Sequence, residues 1–319
     1  MSRQLDRRSF LKKSVATSAG AALGLSLEEK ALLARAGAES DTPASSTSGK
    51  GLPMGKIGDL EISRLICGGN LISGGAHSRD LIYVSQLLKQ YFTDDKVLET
   101  FQIAEENGIN TAIVRLDSHC LRILDKHWNE RGGKLHWIAQ IKPSEQNIKR
   151  DIRLAVDNGA TGAYLQGGVA DDFTARGRID LIQMAVECMK EHGVIAGIGA
   201  HMLDVVVACE KAGLNPDFYM KTINSKSYWS AGPVPRHDSV WAETPKETIE
   251  FMKTVKKPWI AFKVLGAGAI HPKEGFDYAF NNGADFICVG MFDFQIRMDA
   301  DIVRDMFAKG VDRPRPLMA

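Results

Sequence analysis

The chain has 319 residues, 44% hydrophobic and 25% charged, with a net charge of +1. Those values describe a globular protein able to bury a large core, and they exclude a nucleic-acid partner recruited by bulk charge. No apolar run is long enough to span a membrane, and five scattered cysteines without C-x-x-C spacing exclude a disulfide framework. Of these, Cys67, Cys209 and Cys288 sit in apolar patterns and read as buried thiols.

Residues Asp6 to Lys13 read DRRSFLKK, and an Ala/Gly-rich, weakly apolar segment follows from Val15 to Leu27. Arg7-Arg8 followed by Ser9, Phe10, Leu11 and Lys12 resembles a twin-arginine export signal, with small-residue cleavage candidates at Ala34-Arg35-Ala36 and Ala36-Gly37-Ala38. Residues 1–38 are therefore expected to be a signal peptide, 39–51 (polar, Ser/Thr-rich) a disordered linker, and 52–319 one folded domain. The resemblance implies that the twin-arginine machinery is a partner and that the protein is periplasmic or extracellular, without a stable membrane anchor. Any cofactor would be installed before export.

From Leu52 onward short apolar runs alternate with amphipathic helical patterns. The predicted strands cover 62–67, 111–114, 135–141, 162–165, 194–198, 218–222, 259–264 and 286–290. Predicted helices cover 95–107, 144–158, 178–192, 203–212, 245–255, 272–281 and 300–309. Several end at Asn-Gly or Gly just before the next strand, the usual helix stop. Eight strand–helix units in this length predict a (β/α)8 TIM barrel.

Several segments taken in order resemble the aldo-keto reductase superfamily. MGKIGDLEISRLICGGN (54–70) is similar to that family's opening hairpin and first strand, and AEENGINTAIV (104–114) to its second. Residues 195–229, IAFKVLGAGAI (260–270) and FICVGMFDFQIRMDADIV (286–303) resemble strands five to eight with their loops. The resemblance implies an aldo-keto reductase-like barrel and an Asp, Tyr, Lys and His catalytic set. At the corresponding positions this chain has Ile113, Ser118, Lys142 and Gln166 or Gly167, so only the lysine is retained. The loop 291–294 (MFDF) also lacks the basic residue that would hold a 2′-phosphate.

The ends of the predicted strands carry Asn70, Lys142, Gln166, His201, Lys221 and Lys263. Lysine is rare in buried strands unless paired or functional, and a crowded or desolvated lysine becomes a base or a Schiff-base nucleophile. Lys263 and Lys221 are thus candidate bases, with His201 and His77 as acid/base partners. Lys142, Asn70, Gln166, Tyr228, Trp229, and Gly266 and Gly268 of the GAGAI turn are candidate substrate contacts. Gly74-Gly75 in the long first loop could hinge a lid. A divalent metal held by some of His77, Asp80, His119, His201, His237 and Asp238, or a nicotinamide, is a possible cofactor.

The expected function is an exported barrel enzyme acting on a small polar substrate, sugar-derived or carboxylated, by lysine and histidine proton transfer of lyase, isomerase or hydrolase type. Two alternatives stand beside it. One is an NAD(P)-dependent oxidoreductase loaded before export; the other is a non-catalytic sugar-binding barrel.

Overall fold

The computed structural model describes residues 51–76, 81–225 and 244–318. The twin-arginine stretch, its cleavage candidates, all of the linker but Gly51, and His77, Asp80, Tyr228, Trp229, His237 and Asp238 lie outside the described residues.

Ten strands are present: β1 (Met54–Ile57), β2 (Leu60–Ser63), β3 (Leu65–Gly68), β4 (Thr111–Arg115), β5 (His136–Ile141), β6 (Gly162–Leu165), β7 (Ile195–Ala200), β8 (Phe218–Thr222), β9 (Trp259–Phe262) and β10 (Phe286–Val289). β1 and β2 form an antiparallel hairpin, while β3 to β10 close into an eight-stranded parallel barrel with β10 beside β3. The helices are α1 (Val84–Tyr91), α2 (Asp94–Glu106), α3 (Ser118–Asp125), α4 (Ile148–Asp157), α5 (Gly167–Ala175), α6 (Ile179–Glu191), α7 (Leu203–Lys211), α8 (Pro245–Met252), α9 (Pro272–Asn281) and α10 (Ile296–Lys309). The expected (β/α)8 barrel and its opening hairpin are therefore both present.

Three differences from the sequence reading matter below. The predicted strand 62–67 is two elements, because the chain breaks at Arg64, which leaves the hairpin and donates from Nη1 to the carbonyl of Asp285 at 2.9 Å. Helices α1, α3 and α5 fall where no helix was predicted. The strand carrying Lys263 stops at Phe262, since Lys263 adopts a left-handed φ of 58° that no strand tolerates.

Every barrel strand is buried on both faces, and alternation along each one sorts two cores. Leu65, Cys67, Ala112, Val114, Trp137, Ala163, Ala196, Tyr219 and Ala261 join the layer between barrel and helices. Ile66, Ile113, Ile138, Tyr164, Phe218, Met220, Ile260, Phe286 and Cys288 fill the barrel, with Ile57 and Ile62 of the hairpin packed into its N-terminal end. In a barrel of this kind each interior layer takes side chains from alternate strands. Following the pairings round, Ile113, Tyr164, Met220 and Cys288 make one layer, and Gly68, Gln140, Gly199 and Phe262 the next. The same count puts Arg115, Gln166 and Thr222 above them, and Lys142 and His201 at the rim.

Candidate active site

The side chains that meet at the C-terminal end of the barrel are set by where each strand stops. β7 ends at Ala200, so His201 follows on the interior parity of Gly197 and Gly199. Its Nδ1 lies 2.7 Å from Oδ2 of Asp171, which comes from α5. The other oxygen, Oδ1, accepts hydrogen bonds from the backbone N–H of His201 (3.1 Å) and of Met202 (3.0 Å). Asp171 thus fixes the ring and also satisfies backbone donors ahead of α7, where no side-chain cap is present. Both side chains are nearly buried, at 11% and 13% exposure, so their attraction is only weakly screened by water.

Glycines allow this approach. A Cβ on Gly199 would stand 2.7 Å from the nitrogen of Gly167 and the carbonyl oxygen of Leu165. A Cβ on Gly167 would stand 2.9 Å from Cε1 of His201. The first turn of α5 is pressed against β7 and the histidine ring. Gln166 caps that turn, its Oε1 accepting from the N–H of Val169 at 3.2 Å. Asp171 was missed by sequence reasoning because GGVADDFTA does not read as a helix. The Gly-Gly after β6 and the GIGAH of β7 were the available signals of a close approach.

Lys221 is placed differently from its expected position. Met220 and Phe218 point into the barrel, so Lys221 points outwards with Tyr219, and its register partners Ala200 and Ala261 belong to the outer core. It is 2% exposed. Its Nζ donates to the carbonyl of Thr222 (2.9 Å) and to Oγ1 of Thr222 (3.0 Å), and that hydroxyl donates to the carbonyl of His201 (3.0 Å). Burial pulls the lysine down to about 7, partly opposed by the charge of Asp171. The three lysines therefore do not converge. Lys221 lies behind the strand that borders His201, Lys142 is exposed at the rim, and Lys263 is half-buried just past β9.

Lys263 and Ala267 are the non-glycine residues with left-handed backbone among those described. The carbonyl of Lys263 accepts from Nδ2 of Asn224 at 3.2 Å, tying the loop after β9 to the one after β8. Gly266 and Gly268 do not form the expected anion cradle. They make a 3-10 turn in which Gly266 N donates to Lys263 O and Gly268 N to Leu265 O, so those donors are used internally.

Asn70 is exposed, and its carbonyl accepts from Gly75 and Ala76 to fold the first loop back on itself. The carbonyl of Gly74 accepts from Ser85 Oγ, and a Cβ there would meet Lys89 of α1 at 2.6 Å, so the first loop packs closely on α1. Among the described residues no cluster of three or more His, Cys, Asp or Glu side chains is arranged to hold a metal. His119 instead sits with Arg122 and Asp94 on the outside. All five cysteines are free and buried, as the sequence suggested. No helix among the described residues is long and apolar enough to cross a membrane.

Nicotinamide-dependent carbonyl reduction does not fit the residues present. Ile113 is packed in the barrel interior where the resemblance calls for a carboxylate. Ser118 opens α3, capped by Asp117, whose Oδ1 accepts from the N–H of Cys120. The buried Tyr164 is held by Gln140 at 2.6 Å and is pushed up by burial, which makes it a poor proton donor. In the loop after β10, Asp293 accepts from Tyr91 and Lys96, and the loop supplies no basic residue of its own.

No protein-family model and no curated protein matches this sequence. Solved structures share the fold at low identity. A variant of the protein Gox0644 in complex with NADPH superimposes with a TM-score of 0.53 at 11% identity, covering 79% of this chain and 88% of that one. The glycerol dehydrogenase AKR11B4 from Gluconobacter oxydans gives 0.50 at 10% identity, covering 82% and 97%. A truncated 3-deoxy-D-arabino-heptulosonate 7-phosphate synthase from Thermotoga maritima gives 0.50 at 11%, covering 82% and 94%. One scaffold thus carries a dehydrogenase and a synthase. The likeness shows an eight-stranded TIM barrel, and the reaction must be argued from the side chains at its mouth.

Proposed function

We propose that the protein is a barrel enzyme of acid–base chemistry, of lyase, isomerase or hydrolase type, acting on a small polar substrate at the barrel mouth. The observation that carries the reading is the 2.7 Å contact between Asp171 and His201, placed at the end of β7 on the interior side. A carboxylate on Nδ1 fixes the tautomer, so proton exchange falls to Nε2, and it stabilises the imidazolium once the proton has been taken. The same ring then returns the proton as an acid. Asp171 is a positioning residue in this scheme, and His201 the group that meets the substrate.

Lys221 takes a supporting role here in place of that of the base. Its amine is pulled down to about 7 by burial, opposed by the charge of Asp171, and it reaches the backbone carbonyl of His201 through the Thr222 hydroxyl. Lys263 remains a candidate base, and Lys142, Gln166 and Asn70 the described candidate substrate contacts. Tyr228, Trp229 and His77 complete the proposed set from outside the described residues.

In the same reading residues 1–38 are an export signal, 39–51 a linker, and the enzyme works outside the cytoplasmic membrane. Replacing Arg7 and Arg8 with lysine and fractionating the cells tests this: mature protein is expected to be retained inside, and unchanged export would refute it. Turnover is tested by incubating wild type and His201→Gln with a small-metabolite extract and following consumption by mass spectrometry. A compound consumed by the wild type and spared by the variant is expected. Equal consumption by both removes His201 from the chemistry.

A further inference from the structure

The mouth holds two cations that the acid–base pair does not use, and both stand on interior parity on adjacent strands. Arg115 ends β4, in line with Ile113 below it, and Lys142 follows β5 in line with Gln140. By the layer count Arg115 shares a level with Gln166 and Thr222, and Lys142 shares the rim with His201. The guanidinium lines the mouth under the first loop, where its Nη1 would lie 3.8 Å from a Cβ on Gly75.

Elsewhere the arginines of this face of the chain are tightly used. Arg122 meets Asp94 at 2.9 Å, Arg176 meets Glu145 at 2.6 Å, and Arg178 meets Asp180 at 2.8 Å. Among the described residues Arg115 has a single long ionic contact, 3.7 Å from Nε to Asp117 Oδ2, and Oδ1 of that carboxylate is already engaged in capping α3. For Lys142 no ion pair or hydrogen bond is found among the described residues, and it is exposed. The nearby carboxylate that could neutralise the mouth, Asp171, is taken up by His201 and two backbone N–H groups.

Two cations beside a shared opening, one only loosely paired and one with no partner among the described residues, make the local potential positive and favour an anionic ligand. A planar guanidinium adds a two-pronged match to a carboxylate or phosphate, with an ammonium beside it as a point charge. We infer that Arg115 and Lys142 anchor an anionic head group, carboxylate or phosphate, of a small substrate whose adjoining carbon is presented to His201. The inference rests on the mouth being the substrate site, as proposed above. It moves the anion-binding role from the GAGAI turn, whose glycine donors are spent, to the β4–β5 side of the barrel.

The test is an equilibrium titration of the full chain, wild type and variants, by calorimetry with three probes. These are gluconate, its neutral counterpart glucitol, and inorganic phosphate. Because binding is read without turnover, failure of the acid–base scheme leaves the test intact. Gluconate is expected to bind while glucitol does not. Arg115→Met and Lys142→Met are each expected to weaken the anion by about tenfold or more, the worth of a charge-assisted contact. Both positions are exposed, and unchanged circular dichroism shows that the variants are folded. Phosphate binding that depends on Arg115, without gluconate binding, assigns the head group as a phosphoryl group. Equal affinity for glucitol and gluconate, affinity unchanged in both variants, or no binding of either anion overturns the inference.

Discussion

The two ends of the barrel solve the problem of buried charge in opposite ways. At the N-terminal end Asp285 is fully buried, and both oxygens of its carboxylate are saturated with donors. Its carboxylate accepts from Arg313 (2.9 Å), Arg315 (3.1 Å), the backbone of Trp259 (2.9 Å) and that of Met318 (3.0 Å). Arg64 holds the carbonyl of the same residue, and the hairpin closes the opening above Ile57 and Ile62. At the C-terminal end a lysine is buried without a carboxylate on its Nζ, and two non-glycine residues sit at positive φ. Arg115 there makes only a loose ion pair. A buried carboxylate shared by donors from distant parts of the chain locks the fold. Strained backbone and unmatched charge cost stability, and they persist where something other than stability requires them.

Breaking the matched end is expected to have the largest effect. Asp285→Ala would leave Arg313 and Arg315 facing each other in a buried site, at a cost of about 3–5 kcal/mol. Urea denaturation should show a protein that is unfolded or nearly so, and a midpoint close to wild type would contradict the account. At the mouth, the expected loss is of rate rather than fold. His201→Gln should lower turnover of any substrate found by about 10²- to 10⁴-fold, the usual worth of a general acid–base group, and leave the urea midpoint nearly unchanged.

Lys221→Met sharpens the contrast through pH. In the folded chain the amine is pulled down to about 7, while the unfolded chain keeps the ordinary value near 10.5. Between those two pH values the unfolded state binds the extra proton, so wild-type stability should rise with pH by up to about 1.4 kcal/mol per unit. Below pH 7 the full penalty of a buried ammonium is present. The methionine variant should therefore lose this slope and gain most over wild type at acid pH. Parallel stability curves would show that the lysine is not desolvated. The smallest effect belongs to Lys263→Gly, which relieves the left-handed φ of 58° and should stabilise by about 1 kcal/mol. A destabilisation would mean that the lysine side chain outweighs the strain.

The barrel was legible because buried strands and amphipathic helices alternate with glycine stops, a pattern set by local periodicity. The site was legible only in part. His201 follows directly from the strand end in GIGAH. Asp171 does not, since its partner is thirty positions away and its helix opens with two glycines, poor helix formers on propensity. Lys221 shows a deeper reason. In FYMKT both sets of alternating residues are apolar apart from the lysine and the threonine, because the strand is covered on both faces. Nothing local says which set points inwards. Only pairing with Ala200 and Ala261 turns the lysine to the outside. Arg115 was overlooked for a similar reason: it ends a strand whose interior parity is fixed by Ile113 packing in the barrel.

The central claim is that Asp171 and His201 move a proton to and from a substrate held at the mouth. Incubating the protein with small-metabolite extract in deuterium oxide, and reading products by mass spectrometry, tests it most directly. The account predicts a product formed by wild type and lost in both His201→Gln and Asp171→Asn, carrying one solvent deuterium on carbon where the chemistry is of lyase or isomerase type. A product formed at the wild-type rate by His201→Gln, with the same label, would contradict it.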